Sequence, residues 1–413
     1  MLRPGFLTTL GVPGYRWLLL SGVGVSAAYT ADALATGWLV LQLTDSPFWL
    51  GLVAGTRGIS QLVFSIVGGT IADRMDLRRL LVQNNLINAT LAIVVLVLVV
   101  TGAVQIWFVL AAQVIAGFLT ALNGPANQAL LYDVVGPSRL LNARAFGFMT
   151  GSVTRIVTAL AGGFVISTIG TGQAYGLVAL GYAFSACCLL PLPRGGELHP
   201  AEAPLRSLVS GLRYVLRTER IRELLLLSFT TEAFGFAHMQ MVPVMARDVL
   251  HVGADGLGLL SASAAAGQLA ATILLASFGD VRRKDVLLLG SAFGYGASII
   301  FFALSPWFAT SLAIMTFVGG AAGLYDSTIA TVIQLTVHGD MRGRVLGVYV
   351  ASWGSNSVGS FGLGALATVV GAPLAIAAFA AIVCGNALRL IPKLALFDPA
   401  GTEPGQESAP LRV

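Results

Sequence analysis

The feature that most limits this chain is the recurrence of long apolar runs. Stretches nearly free of charge repeat from about residue 16 to residue 393. A run of about 18 residues or more, wound as a helix, crosses the roughly 30 Å hydrocarbon core of a bilayer. A soluble fold would need a charged surface, for which about a quarter of residues are usually charged. Here 10% are charged and 56% are hydrophobic, so a water-facing surface cannot be built and the class is a polytopic helical membrane protein. Splitting at charges, prolines and polar clusters gives twelve segments. They are 16–42, 48–72, 80–102, 105–134, 142–169 and 174–194, then 221–247, 256–278, 286–304, 308–337, 344–370 and 373–393. The first run is long, contains Asp32 and lacks a small-residue cleavage site, so it reads as a retained helix.

Charge fixes the expected orientation. With the N-terminus in the cytoplasm, 21 of the 24 Lys and Arg residues fall on the cytoplasmic side, Arg247 alone falls outside, and Arg57 and Arg155 lie within the membrane. The positive-inside rule then puts both termini and the central linker in the cytoplasm. The net charge of +5 is explained by these loops without nucleic acid. Trp49, Trp107 and Trp307 fall at the outer ends of segments, where an aromatic belt belongs. Cys187, Cys188 and Cys384 lie inside apolar runs and read as small core residues rather than as a disulfide or metal site.

The two halves repeat. FGDVRRKD at 278–285 is a shortened form of GGTIADRMDLRRLL at 68–81. Asn123 precedes Gly136 by thirteen residues, and Asp326 precedes Gly339 by thirteen. Six helices repeated in parallel about an axis along the membrane normal is a transporter architecture. The expected fold is an all-α membrane protein of twelve transmembrane helices in two six-helix bundles. Its units are an N-terminal bundle (1–194), a cytoplasmic linker with an amphipathic helix (195–220), a C-terminal bundle (221–393) and a cytoplasmic tail (394–413). The linker helix is read from apolar residues at helical spacing, with arginines between them, in LRSLVSGLRYVLRTER.

The run Asp73 to Arg79 holds five charges in seven positions. It serves as a positive-inside stop signal. Asp73 and Asp76 among the arginines, and Gly68 and Gly69 before them, also suit a latch in which arginines pair with a carboxylate such as Asp133. Gly69-Thr-Ile-Ala-Asp73-Arg74-Met-Asp76-Leu-Arg78-Arg79 resembles the signature loop of the major facilitator superfamily, G-x-x-x-D-R/K-x-G-x-R/K-R/K, with Asp76 in place of its second glycine. ATGWLVLQLTDSPFWLGLV, LLNARAFG, GLRYVLRTERIRELLLL and MRGRVLGVY resemble the prokaryotic branch of enterobactin-exporter and macrolide-efflux-like proteins. The resemblance covers essentially the whole chain and implies export by alternating access. It also implies a cytoplasmic gate of Gly69, Asp73, Arg74, Asp76, Arg78, Arg79 and Asp133 with Gly279, Asp280, Arg282 and Arg283. One departure is TRIVTALAGG at 154–163, where Thr158-Ala159 stand in place of the G-P pair many antiporters carry, which weakens the case for proton antiport.

Charge within the membrane costs about 2.5–3.5 kcal/mol per residue even on the gentlest scale. Asp32, Arg57, Arg155, Glu232 and Asp326 carry that cost and are expected to face the interior. Asp32 and Arg57 share a depth on neighbouring helices, which suits a structural salt bridge or a substrate contact. Glu232 and Asp326 each lie about eleven residues from a cytoplasmic helix end. A carboxyl buried without a partner is driven toward its neutral form, which is what a proton carrier needs. Direct binding of a cationic substrate, or a permanently neutral group bonded to Thr230, Thr231 or Thr328, would also account for them. Glu232, Asp326 and Asp32 are therefore the proton-coupling candidates. The cavity candidates are Tyr29, Arg57, Asn123, Asn127, Arg155, His238, Gln240, Trp353 and Asn356. Asn123 and Asn127 flank Pro125 at a kink.

No nucleotide loop, metal-ligand cluster or nucleophile–base pair stands at motif spacing, so no enzyme, metal or cofactor is expected and energy is drawn from gradients. The expected partners are a small-molecule substrate, protons and membrane lipids, for a monomer in the bacterial inner membrane. The substrate is a small amphipathic compound: a drug, a secondary metabolite or a siderophore. The alternatives are a proton-coupled nutrient importer and, in another class, a non-transporting receptor or scaffold on the same fold.

Overall fold

A computed structural model of the chain describes residues 7–72, 75–192, 204–278, 281, 283–337 and 339–397. Six long helices come first: α1 (Pro13–Thr44), α2 (Pro47–Ala72), α3 (Leu77–Val100), α4 (Ile106–Val135), α5 (Leu140–Thr168) and α6 (Thr171–Leu189). The linker forms α7 (Pro204–Arg217), followed by α8 (Glu219–Thr230) and the single turn α9 (Val242–Val244). Then come α10 (Gly253–Phe278), α11 (Lys284–Ala303), α12 (Phe308–Thr336), α13 (Gly339–Ser352), α14 (Ser355–Val370) and α15 (Ala372–Leu390). Among the described residues, nine helices are long and apolar enough to cross a membrane.

The helix ends follow from local chemistry. Proline opens α1 and α2, where a missing N–H costs nothing. Asp76 caps α3, its carboxylate accepting the Arg79 N–H at 3.0 Å. That gives Asp76 a role a glycine could not fill. Gly136 ends α4 and Gly371 precedes α15 at φ of +71° and +85°, which a side chain would strain.

The first six helices pack on one another, and α10, α11, α12 and α15 do likewise. Close approach relies on small residues. A Cβ on Gly24 would stand 2.7 Å from the Gly181 carbonyl oxygen, and one on Gly181 would stand 2.9 Å from that of Gly24, locking α1 to α6. Buried polar side chains complete the joints: Asn85 donates to Ser185 at 2.9 Å, and Ser185 lies 2.7 Å from Ser21.

The apolar pattern predicted continuous helices throughout, and two segments are interrupted instead. Between α8 and α10 the chain passes through a π-helical turn (Thr231–Gly235), a 3-10 stretch (Phe236–Met241), α9 and a second π-helical turn (Met245–Val249). Gly235 and Pro243 sit in this stretch, and proline removes one ladder bond. Between α13 and α14 the helix breaks at Trp353 and Gly354. Serine hydroxyls compete with the backbone there: Ser352 donates to the Tyr349 carbonyl and Ser355 to that of Ser352, each at 2.6 Å. Ser352 and Ser228 lie 2.8 Å apart, tying the two interruptions together.

Candidate functional site

Two seams join residues 7–192 to residues 204–397, and they mirror each other. In the first, a Cβ on Gly163 of α5 would meet the Ala254 carbonyl oxygen at 2.7 Å, and one on Gly258 of α10 would meet that of Ala159 at 2.6 Å. In the second, Gly51 of α2 packs on the Ser360 carbonyl, and a Cβ on Gly364 of α14 would meet that of Pro47 at 2.8 Å. All four glycines lie within about two turns of the helix ends on the arginine-poor face. Arg247 reinforces that face, donating to the Leu41 carbonyl at 2.9 Å and the Asp45 carboxylate at 2.8 Å while pairing with Asp248 at 2.6 Å. Ser167 of α5 donates to Asp255 of α10 at 2.5 Å. At mid-depth Arg155 donates to Gln268 at 3.0 Å and Ser152 at 3.2 Å. These ties run from mid-depth to the arginine-poor face, so that face is the closed one.

Each half holds a buried polar cluster. In the first, Arg57 Nη1 lies 2.5 Å from Asp32 Oδ2, with both side chains at least 85% buried. The guanidinium also lies 4.7 Å from the Tyr29 ring centroid and reaches Gln113 at 3.5 Å. Thr36 donates to Asp32 at 3.3 Å and shares a 2.9 Å hydrogen bond with Tyr175. A small cavity of about 30 Å³ beside Asp32, lined also by Asn88, Gln113, Tyr175 and Tyr182, has room for about two waters.

The second half repeats neither the depth nor the pairing: its acids lie nearly two turns further from the arginine-poor helix ends. Glu232 is buried in the π-helical turn and Asp326 is partly buried on α12. Among the described residues neither carboxylate makes a hydrogen bond or an ion pair. They lie within electrostatic reach of each other, and Arg155 lies within reach of Asp326. The threonines that could have satisfied them do not: Thr230 donates to the Leu226 carbonyl at 2.8 Å and Thr328 to that of Leu324 at 2.7 Å. Tyr295 and Tyr325 are buried beside them, and among the described residues the Tyr295 hydroxyl makes no hydrogen bond. Tyr349 packs edge-on against Trp353 at 5.8 Å.

Tyr29 and Trp353, each about half exposed, lie at matching depth, roughly 22–26 Å along their helices from the arginine-poor face. Asn127 is exposed on α4, while Asn123, Gln240 and Asn356 are partly buried, Asn356 accepting from Ser360 at 3.0 Å. His238 is buried, with Nδ1 2.7 Å from the Gly235 carbonyl oxygen and its ring against Tyr295, so it is packed rather than lining open space. Gln113, Gln268 and the tyrosines 175, 182, 295, 325 and 349 complete the clusters without having stood out in the sequence. The two glutamines were legible as amides inside apolar runs. The tyrosines were masked by counting them as hydrophobic.

Of the gate residues, Asp73, Arg74, Gly279, Asp280 and Arg282 lie outside the described residues, and Gly69 falls in the last turns of α2. Arg78 donates to the Leu189 carbonyl at 3.1 Å and to that of Leu190, closing the end of α6. Asp133 is exposed and, among the described residues, has no ion pair, so the expected pairing with Arg78 or Arg79 is not formed here. Arg283 pairs with Asp285 at 3.2 Å.

A model of the transmembrane secretion effector family matches residues 7–411. The enterobactin exporter EntS of Citrobacter koseri is 26% identical over 403 residues, covering 95% of each chain. A bacterial homologue of the human lysosomal transporter Spinster, solved inward-facing and unoccupied, superposes with a TM-score of 0.69 over 97% of each chain at 16% identity. A POT family transporter in complex with a thioalcohol-conjugated peptide gives a TM-score of 0.73 over 92% of this chain and 96% of its own, at 11% identity.

Proposed function

The chain belongs to the transmembrane secretion effector family of the major facilitator superfamily, and on that premise we propose that it couples export of a small amphipathic compound to proton entry. It is a secondary transporter, not an enzyme. In this reading twelve spans form two six-helix bundles, with the interrupted segments 219–249 and 339–370 as the seventh and eleventh. The arginine-rich face with both termini is cytoplasmic, and the protein works as a monomer in the inner membrane. The seams closed at the other face then correspond to an inward-facing state. Rocking would part the glycine seams and Arg247, and would bring the cytoplasmic loops around residues 69–79 and 279–283 together.

The observation that carries proton coupling is the pair Glu232, buried, and Asp326, partly buried, which lie at one depth and among the described residues make no hydrogen bond or ion pair. An ionised carboxylate held so is costly, and a proton removes the cost. Substrate would sit between the halves at that level, its apolar body on Tyr29 and Trp353 and its polar groups toward Arg155, Asn127 and the carboxylates. The name of the Citrobacter relative makes catecholate siderophores the first class to try.

The test uses everted membrane vesicles with an acid interior and a pH-sensitive dye. Catecholate siderophores, macrolides and lipophilic cations are added in turn. Proton loss on adding one class, abolished by Glu232→Gln or Asp326→Asn, supports the reading. Substrate movement that leaves the gradient intact, and persists in both variants, removes the proton from it.

A further inference from the structure

The linker helix α7 has three distinct sides. Its docked side carries Gly211 and Val215, four residues apart. A Cβ on Gly211 would meet the Arg344 carbonyl oxygen of α13 at 2.8 Å, and Val215 is 4% exposed within the core formed by Ile221, Leu224 and Val345. At about 100° per residue, Leu212 and Leu216 stand one step around the helix, and Arg213 and Arg217 a further step. The two leucines are 48% and 60% exposed, and both arginines are exposed.

The neighbouring acids are already engaged. Glu223 accepts from Arg389 at 2.6 Å and from Lys393 at 2.8 Å, and Glu219 takes Lys393 at 2.8 Å. Among the described residues Arg213 and Arg217 have no ion pair or hydrogen bond. Arg222 donates to the Leu216 carbonyl at 3.4 Å and closes the end of the helix. A docked helix with an apolar edge beside two free guanidinium groups matches the boundary between acyl chains and negatively charged headgroups.

We propose that α7 is a binding surface for anionic phospholipid of the inner leaflet. Leu212 and Leu216 enter the acyl boundary while Arg213 and Arg217 hold headgroup phosphates. The helix is seated on α13 through Gly211, so the lipid is held against the arginine-rich end of that moving element. The inference rests on the orientation and rocking of the proposed function and stands apart from proton coupling.

The full-length protein in nanodiscs, with phosphatidylcholine alone or mixed with phosphatidylglycerol, tests it by native mass spectrometry of retained lipid. Wild type retains phosphatidylglycerol over phosphatidylcholine. With each basic residue near the surface contributing about 1 kcal/mol, Arg213→Gln with Arg217→Gln weakens that retention roughly thirtyfold, and Arg213→Lys with Arg217→Lys keeps most of it. Equal retention of both lipids by wild type, or unchanged preference in the glutamine variant, overturns the proposal. Displacement by inorganic phosphate alone, at concentrations that leave bulk ionic strength unchanged, overturns it in favour of a free oxyanion. Lipid retention is read without transport, so failure of the export assay leaves it intact.

Discussion

The two halves each bury carboxylates within the membrane-spanning helices and treat them in opposite ways. Asp32 is matched by Arg57 at 2.5 Å, with Thr36, Tyr175 and Gln113 around the pair. Among the described residues Glu232 and Asp326 have no such match, and the Tyr295 hydroxyl beside them makes no hydrogen bond. A half that neutralises its charge internally can serve as a rigid body. A half that keeps uncompensated acids changes its energy when a proton or a cation arrives. On the proposed function this is a division of labour: the shared element is the glycine seam, and the specialised element is the polar cluster.

The largest expected effect breaks the first cluster. Asp32→Ala leaves the Arg57 guanidinium buried and unpaired, a loss of about 3–5 kcal/mol. Asp32→Ala with Arg57→Met removes both charges and recovers most of it. Thermal unfolding in detergent across the four-member cycle should show the double variant losing less than the sum of the two single variants, by at least about 2–3 kcal/mol. Additive losses would mean that the pair does not neutralise itself. The second cluster should behave inversely. Glu232→Gln and Asp326→Asn are expected to leave the melting temperature unchanged or higher, because a buried charge is removed, while proton-coupled transport falls at least tenfold. If they unfold the protein as Asp32→Ala does, the two clusters are alike and the division of labour is gone.

Much of this was legible because hydrophobicity acts over whole segments. α1, α4 and α12 end within three residues of the sequence boundaries, since crossing a bilayer fixes length and since proline and charge mark the ends. Asp32 and Arg57 could be paired by counting rise from their helix ends, because both helices are regular. The interruptions at 231–249 and 353–354 were not legible. Pro243 and Gly354 alone do not say whether neighbouring helices will keep a helix intact, and the deciding bonds of Ser228, Ser352 and Ser355 are tertiary. The reciprocal glycine contacts were hidden for the same reason. Among 49 glycines, only packing reveals that Gly51, Gly163, Gly258 and Gly364, like Gly55 against Ser357, meet a carbonyl across a seam.

Those four glycines give an intermediate effect, and one that should be equal in the two seams. Gly51→Leu, Gly364→Leu, Gly163→Leu and Gly258→Leu each drive a side chain into a backbone carbonyl. Overpacking of that kind costs about 1–3 kcal/mol, charged only to the state in which the seam is shut. Spin-label distances between the arginine-poor ends of α2 and α14, and of α5 and α10, should lengthen in every variant. Lengthening at one seam with no change at the other would show that the halves do not rock as rigid bodies.

The smallest effect belongs to Arg247. Its guanidinium spans the closed face, but Asp45 and Asp248 are exposed, and exposed pairs contribute roughly 0–1 kcal/mol. The bond to the Leu41 carbonyl adds to this because it occupies an acceptor at the end of α1. Arg247→Gln should therefore leave folding intact and shift the closed-to-open population by a factor of no more than about five. The shift should shrink in wild type as salt is raised, because the carboxylate contacts are screened and the carbonyl contact is not. A salt-independent shift would assign the latch to the carbonyl bond alone. A shift larger than that of Gly163→Leu would reverse the ranking and make the arginine, not the glycine seams, the element that holds the arginine-poor face shut.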